Sequence, residues 1–342
     1  MAFGLYFTND LAGMNRQTIQ ANNLQTMSWL NDRIIDWANA GRQFCLQNGQ
    51  IEKMGVYSFA FPFDSSVISD NGIYSVIYQK LGTKGLLLKN GNPLREINRS
   101  YYCADVYEYP VIFATAKNEK TYLIHCPNKY CQIDFEDVES GEIITKHPDR
   151  KPSDFFHSRF EVSSDNKTLL SKGWMWHPND FVEIFDIEEC IENPLLLNNS
   201  KLSPEVDAAI CTASFINNSS ILIGSPNDSE PFNYEPSDKL KNGQIAIWDI
   251  STNAVSKPIT PQFTVGGHLI AIDETYAWEL YDFPKIVNYR TGVVEDKIED
   301  IFSGNQISSI IHHLADLPKI SVNLTTKQVA IYSKGTIEIL SK

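Results

Sequence analysis

A unit of two short apolar strands joined by a tight polar turn recurs along this chain, and it restricts the possible folds more than any other feature. The clearest copy runs from Ala213 to Ser225. Copies of the unit have their turns near Asp64, Lys117, Ser164, Asn217, Asp273 and Thr325. The unit therefore returns about every 50 residues, a period that predicts an array of similar sheet modules.

A third strand follows the hairpin in each unit, and its side chains alternate as expected for a half-buried strand. Four of these strands end in a large ring followed by a charged residue, and the rings are Phe135, Phe185, Trp248 and Tyr289. A ring at a fixed place in each unit would fill the gap between neighbouring sheets. Four-stranded units of this period make a β-propeller, whose closure protects the sheet edges. We therefore predict an all-β propeller of six four-stranded sheets, or seven if the amino-terminal region supplies one.

Two stretches resemble the repeats of WD-repeat proteins. They are residues 160–173 and residues 213–250, and the second contains the dipeptide Trp248-Asp249 that names the family. The resemblance covers roughly residues 55–342, although the period here exceeds the ~40–45 residues of that family. It is a resemblance of fold, and it implies a WD-like propeller architecture.

The first 52 residues differ from the rest of the chain. Leu24, Met27, Leu30, Ile34, Trp37 and Ala38 recur at helical spacing. This spacing predicts an amphipathic helix ended by Gly41 and packed on the propeller. We also predict a strand from Phe3 to Phe7 that completes the last sheet. The domain organisation is then an amino-terminal strand and helix over residues 1–52 and a propeller over residues 53–342.

Composition limits the classes of partner. The formal net charge of −13 disfavours binding to a nucleic-acid backbone and favours a basic protein partner. The first ten residues lack the basic flank and apolar core of a secretory leader, and no run approaches the ~20 apolar residues that cross a membrane. The six cysteines are scattered rather than arranged as a disulfide framework. We therefore expect a cytoplasmic protein that does not bind membranes.

Motifs for catalysis or cofactor binding are absent from the sequence. Cys126 and Cys131, next to His125, lack the second ligand pair that a zinc site needs. The doublet His312-His313 would point to opposite faces of a strand. The sequence contains no phosphate-binding glycine motif, no Gly-x-Ser-x-Gly elbow and no calcium loop. We expect no catalytic residue, no metal and no cofactor.

The connections between second and third strands carry the strongest functional signal, because in a propeller they lie on one rim. Three consecutive units have connections rich in rings and charges, and long loops of this kind are usually functional. The candidate binding residues are Trp174, Trp176, His177, Asp180, Phe232, Tyr234, Glu235, Tyr281, Asp282 and Phe283. The alternative is that the tryptophans fold back as local packing and the long loop is flexible.

Two functions remain open at this point. The first is a non-catalytic propeller that presents an acidic, aromatic face to a protein partner, with an immunity-type inhibitor of a basic toxin as one specific form. The second is a six-bladed propeller enzyme, such as a metal-dependent lactonase or hydrolase. The inner strands that would carry its metal ligands are mainly apolar, for example residues 111–114, which argues against the enzyme.

Overall fold

The computed structural model describes residues 6–9, 13–55, 57–176, 179–228 and 237–342. The chain divides into two compact units. The first consists of Met1–Asn98 together with Asp316–Lys342, and the second is Arg99–Ala315. Strands dominate both units, as predicted. No described helix is long and apolar enough to span a membrane.

Three antiparallel sheets form the described part of the first unit. One consists of β3 (Ser28–Leu30), β4 (Arg33–Asp36), β5 (Arg42–Cys45) and β6 (Ile51–Lys53). The next consists of β7 (Ser65–Ile68), β8 (Tyr74–Tyr78), β9 (Lys84–Lys89) and β10 (Asn92–Asn98). The third combines both ends of the chain, and its strands are β1 (Tyr6–Asn9), β2 (Asn15–Gln20), β25 (Lys319–Val322), β26 (Val329–Ser333) and β27 (Thr336–Ser341).

Four antiparallel sheets form the described part of the second unit. The first two are β11 (Val111–Thr115), β12 (Thr121–His125) and β13 (Asp134–Asp137), then β14 (Glu161–Val162), β15 (Thr168–Met175) and β16 (Asn179–Asp186). The other two are β17 (Thr212–Asn217), β18 (Ser220–Gly224), β19 (Ile245–Asp249) and β20 (Ala254–Val255), then β21 (Leu269–Ala271), β22 (Tyr276–Glu279), β23 (Lys285–Asn288) and β24 (Val293–Lys297). A short α-helix, α1 (Ile187–Glu192), and a 3₁₀ turn (Pro194–Asn198) follow β16.

Three of the polar turns predicted from the repeat are stabilised by side chains that bond to the backbone, whereas the turn predicted near Asp64 is wrong, because β7 begins at Ser65 and the turn follows Ile68. The Asn217 side chain accepts from the backbone N–H of Ser219 at 2.9 Å, and Asp273 accepts from Tyr276 at 2.8 Å. Asn323 accepts in the same way from Thr325 at 3.0 Å. Short Asn and Asp side chains can accept hydrogen bonds from nearby backbone N–H groups and so stabilise a turn. This explains why they recur at the turns of the repeat.

The large rings at the ends of the third strands are fully buried, as predicted. Phe135 packs with Leu169 and Phe185, so it bridges the sheets that contain β13 and β15. Trp248 packs against β16 in the same way. Tyr289 packs against Leu222 of β18. In this unit each sheet is therefore joined to the next by an aromatic side chain in the gap between them.

The helix predicted over residues 24–38 is wrong, because this segment forms the hairpin β3–β4. Asn31 adopts a positive φ of 53° at the turn, and Trp29 pairs with Ile34 across it. Trp29 and Ile34 pack into one cluster, whereas Ile35 and Trp37 pack into another. A strand buried on both faces needs apolar residues at adjacent positions, and such a run is easily mistaken for helical spacing.

This hairpin belongs to an additional sheet, which raises the count from six to seven in the described residues. The amino-terminal region supplies it, as the seven-sheet alternative required. The amino-terminal strand prediction falls partly on residues 3–5, which lie outside the described residues. Tyr6 and Phe7 are in β1, but the strand that pairs directly with β27 is β2.

Deletion of residues 1–20 should destabilise the protein, because it removes β2 and leaves the edge of β27 unpaired. Burial of Ile19 alone is worth about 2 kcal/mol. The deletion also removes the bonds from Arg16 and Thr18 to Glu338, at 2.9 and 2.7 Å. We expect a loss of about 3 kcal/mol or more in urea unfolding. Deletion of residues 1–5 is the control, and equal unfolding midpoints for the two deletions would contradict this role of β2.

Candidate functional site

Trp174, Phe156 and Tyr130 form a stack of near-parallel rings in the second unit, and a fourth ring, Tyr102, lies tilted at its side. We call these four rings the aromatic column. Trp174 and Phe156 stack with centroids 3.8 Å apart and an interplanar angle of 7°. Phe156 stacks on Tyr130 at 4.2 Å and 20°. Tyr130 contacts Tyr102 at 5.0 Å and 34°. The four rings come from four separate segments of the chain, so the column is a product of tertiary packing.

Trp176 covers the side of the column at nearly right angles. Its ring lies 5.3 Å from Phe156 at 86° and 5.6 Å from Trp174 at 82°. It lies 6.2 Å from Tyr102 at 67°. Edge-to-face contacts of this kind match the positive edge of one ring to the negative face of another. Trp176 is nevertheless 46% exposed, so much of its surface is open to a partner.

The backbone fixes the inner end of the column. Phe156 and Trp174 form a β-bridge, with N–H to O=C distances of 2.8 and 3.2 Å. A Cβ atom at Gly173 would lie 2.0 Å from the carbonyl oxygen of Phe156, so only glycine allows this approach. The Tyr107 ring closes another side, 5.6 Å from Phe156 at 83°. The inner rings are therefore held in one arrangement.

Arg99 orders the segment that carries the outer rings. Its guanidinium donates to the carbonyl of Tyr107 at 2.8 Å and to that of Ala104, and it lies 4.6 Å from the Tyr107 ring. Tyr101 and Tyr102 sit at the start of this segment, 82% and 49% exposed. Exposed rings on a buried, bonded support lose little conformational freedom when they bind.

A carboxylate lies beside the outer rings. The Tyr130 hydroxyl donates to Asp154 Oδ1 at 2.6 Å, and Asp154 is exposed. Burial and this acceptor both raise the pKa of Tyr130, so the phenol stays neutral and keeps donating. The hydrogen bond therefore holds a negative charge close to the column.

The connections that build this site leave the same end of their sheets. Residues 126–133 join a second strand to a third, and residues 99–110 and 138–160 precede first strands. In antiparallel sheets the end of a second strand and the start of a first strand lie together. Tyr101, Tyr102 and Phe156 lie in connections that precede first strands, and Tyr130 lies in the second-to-third connection of an earlier unit, so none of them is among the predicted binding residues. The tyrosine-rich run of residues 101–109 ahead of β11 was the available signal.

The predicted binding residues are found in different places. Trp174 and Trp176 belong to the column and its flank, although Trp174 is only 4% exposed. Asp180 is buried, which raises its pKa, and it accepts a 2.7 Å hydrogen bond from the Ser309 backbone. It therefore supports the interior rather than an exposed face. His177, Phe232, Tyr234 and Glu235 lie outside the described residues.

Tyr281, Asp282 and Phe283 line a separate open cavity of about 670 Å³. Lys285 supports its wall, because the ammonium bonds to the buried Glu279 at 2.7 Å and lies 4.2 Å from the Phe283 ring. Within the described part of the chain, no ring contact joins these residues to Trp174 or Trp176. The described residues thus offer two ring-containing sites in this unit instead of one continuous face.

Metal-ligating side chains do not converge in the described residues. His125 Nε2 lies 3.1 Å from the Glu136 carboxylate inside the sheet, and burial raises the pKa of the Cys126 thiol. The rings of His312 and His313 pack edge to face at 5.6 Å. These groups have local structural partners.

One buried set has the residue types of a hydrolase triad. His157 Nδ1 lies 3.0 Å from Ser171 Oγ and 3.9 Å from the Glu183 carboxylate. Burial lowers the pKa of His157 to about 3 and raises that of Glu183 to about 7. Ser171 has no exposed surface, so its hydroxyl cannot reach a substrate. The set instead ties the chain next to Phe156 to β15.

Comparisons with known proteins identify the fold alone. No protein-family model matches this sequence, and no curated protein matches it. A chain in the crystal structure of a mitotic checkpoint complex is similar, with a TM-score of 0.60 and 11% sequence identity over 98% of this chain and 93% of that one. That chain is a WD40 propeller. The seven antiparallel sheets are accordingly the blades of an all-β, seven-bladed propeller of this type.

Glu183→Gln should stabilise the protein at about pH 8 and have little effect near pH 4.5. The folded-state pKa of about 7 lies above the ordinary 4.5, so protonation stabilises the folded state. That contribution is complete below pH 4.5 and is lost as the pH rises to about 7. Above pH 7, the substitution should raise the free energy of unfolding by on the order of 2–3 kcal/mol, as measured by urea unfolding. The exposed Glu142→Gln is the control, and a gain that does not vary with pH would contradict the assignment.

Proposed function

We propose that this protein is a non-catalytic, protein-binding propeller, and that its partner docks on Tyr101, Tyr102 and Trp176 above the aromatic column. The observation that carries the proposal is the combination of half-exposed rings with a fully buried, stacked support. Contiguous exposed apolar patches are rare on soluble proteins, and where they occur they often mark an interaction site.

The energetics favour a protein partner. Tyrosine and tryptophan are enriched among the residues that dominate binding energy, because each combines a large apolar area with few rotatable bonds. About half of Tyr102 and of Trp176 is exposed, or roughly 100 Å² for each ring. Covering that area is worth about 2 kcal/mol per ring. The stacked support limits the ordering cost that usually offsets such a gain.

Charge favours a basic partner. The formal net charge of −13 repels nucleic-acid backbones and attracts a positively charged protein surface, mainly by raising the association rate. Asp154 places part of that charge at the site itself. The similar propeller chain from the mitotic checkpoint complex is one component of an assembly, and this agrees with a role in protein binding.

A narrower form of the proposal is an immunity-type inhibitor that blocks a basic toxin in the cytoplasm. It rests on the acidic charge and on the lack of catalytic motifs in the sequence. All six cysteines are free thiols, which agrees with a reducing compartment.

Pull-down from native lysate with Tyr102→Ala and Trp176→Ala tests the docking surface. We expect each variant to recover at least about tenfold less partner, because each loses a ring of hot-spot size. Both positions are exposed, so the folded protein should remain stable. Tyr57→Ala, at a half-exposed tyrosine of the first unit, is the matched control. Full recovery with both variants would remove this surface from consideration.

An inhibition assay tests the immunity form. If the recovered partner is a toxin, equimolar protein should suppress its activity, and Trp176→Ala should suppress it at least about tenfold less well. Added salt should slow the association, because charge steers the encounter. Undiminished toxin activity in the complex would contradict the immunity form and leave the docking surface intact.

A further inference from the structure

We propose that the partner inserts an arginine at the aromatic column, with its guanidinium stacked against Tyr102 and paired with Asp154. This inference rests on the proposed function, since it names the chemistry that the docking surface recognises. We call the position of the guanidinium the arginine subsite, and Tyr102, Trp176 and Asp154 define it.

The first argument is the geometry of the rings. Trp174, Phe156 and Tyr130 lie nearly parallel, with successive centroids 3.8 and 4.2 Å apart, and Tyr102 lies beside this stack, 5.0 Å from Tyr130 and 6.0 Å from Phe156. Tyr102 is 49% exposed, so part of its ring is open to solvent. A flat group from a partner can stack on the exposed part of the Tyr102 ring. The guanidinium is planar, stacks on aromatic rings and stays charged at neutral pH, where histidine, the other planar cation, loses its charge.

The second argument is the position of the carboxylate. Asp154 Oδ1 accepts the Tyr130 hydroxyl at 2.6 Å, and that tyrosine is itself a layer of the column. The Oδ2 atom accepts no hydrogen bond from the described residues, and the side chain is exposed. One contact therefore orients the carboxylate beside the rings and leaves an acceptor for a partner. Arginine uses such an acceptor with N–H groups fixed in the plane that stacks.

The third argument separates arginine from other occupants. A proline-rich segment would use the rings but would leave Asp154 without a role. A lysine would use the charge, but its ammonium is compact, strongly hydrated and not planar. The net charge of −13 favours a cation of either kind over a neutral ring. Arginine can use the Tyr102 ring, the perpendicular ring of Trp176 and the carboxylate together.

A pair of peptides tests the arginine subsite on the full-length protein. The probe is acetyl-Gly-Gly-Arg-Gly-Gly-amide, and its control replaces arginine with citrulline, which stays planar but carries no charge. Binding is followed by the ¹⁵N–¹H signal of the Trp176 indole and by tryptophan fluorescence. We expect the arginine peptide to shift the signal saturably and to bind at least about tenfold more tightly than the citrulline peptide.

Two substitutions test the residues assigned to the subsite. Asp154→Asn should weaken the arginine peptide about tenfold and leave the citrulline peptide almost unchanged, because only the charged ligand loses an ion pair. Tyr102→Leu should weaken both peptides, because it removes the layer on which they stack. The controls are Asp149→Asn, at an exposed carboxylate, and Tyr57→Leu in the first unit. Neither control should alter binding, and unfolding midpoints will show that each variant is folded.

Equal binding of the arginine and citrulline peptides would overturn the inference, and so would unchanged binding to Asp154→Asn. Tighter binding of acetyl-Gly-Pro-Pro-Pro-Gly-amide would also overturn it in favour of a proline-rich partner. These outcomes are distinct from failure of the proposed function. If Trp176→Ala still loses its protein partner while the arginine peptide does not bind, the docking surface stands and only the arginine subsite falls.

Discussion

Burial of both faces of each sheet is the constraint on which the rest of the structure depends. An isolated four-stranded sheet would expose one apolar face, so each sheet must pack against neighbours. Trp248 shows how the gap is filled, since it has no exposed surface and packs against the β14–β16 sheet. Phe135 and Tyr289 act in the same way in their own sheets. Because the rings hold the sheets together, the connections at the sheet ends are free to carry function.

The aromatic column is an outward continuation of this packing. Its inner members, Phe156 and Trp174, belong to a buried cluster, and Tyr102 at its side is half exposed. The same contacts that stabilise the fold therefore position the rings that we propose for binding. A site built in this way is rigid without a partner, which reduces the entropy lost on association. It also explains why Trp174 has a structural role while Trp176 has the exposed surface.

Sequence patterns predicted the elements whose signals are local. The turns at Asn217 and Asp273 followed from side chains that bond to nearby backbone, and the rings at Phe185 and Trp248 followed from their fixed place in each unit. The hairpin β3–β4 was mistaken for a helix because burial on two faces removes the alternation by which a strand is recognised. That error concealed one sheet of the seven.

The sequence by itself determined the fold class, the repeated sheet and the aromatic filling between sheets, because these depend on local periodicity and composition. Only the tertiary structure decided the site. Tyr102, Tyr130, Phe156 and Trp174 are far apart in sequence, and no local pattern records that their rings stack. Asp180 illustrates the reverse case, since it lies four residues after the exposed Trp176 in sequence but is buried and accepts a hydrogen bond from Ser309. Burial and ring contact depend on the packing of distant segments, which a linear pattern does not specify.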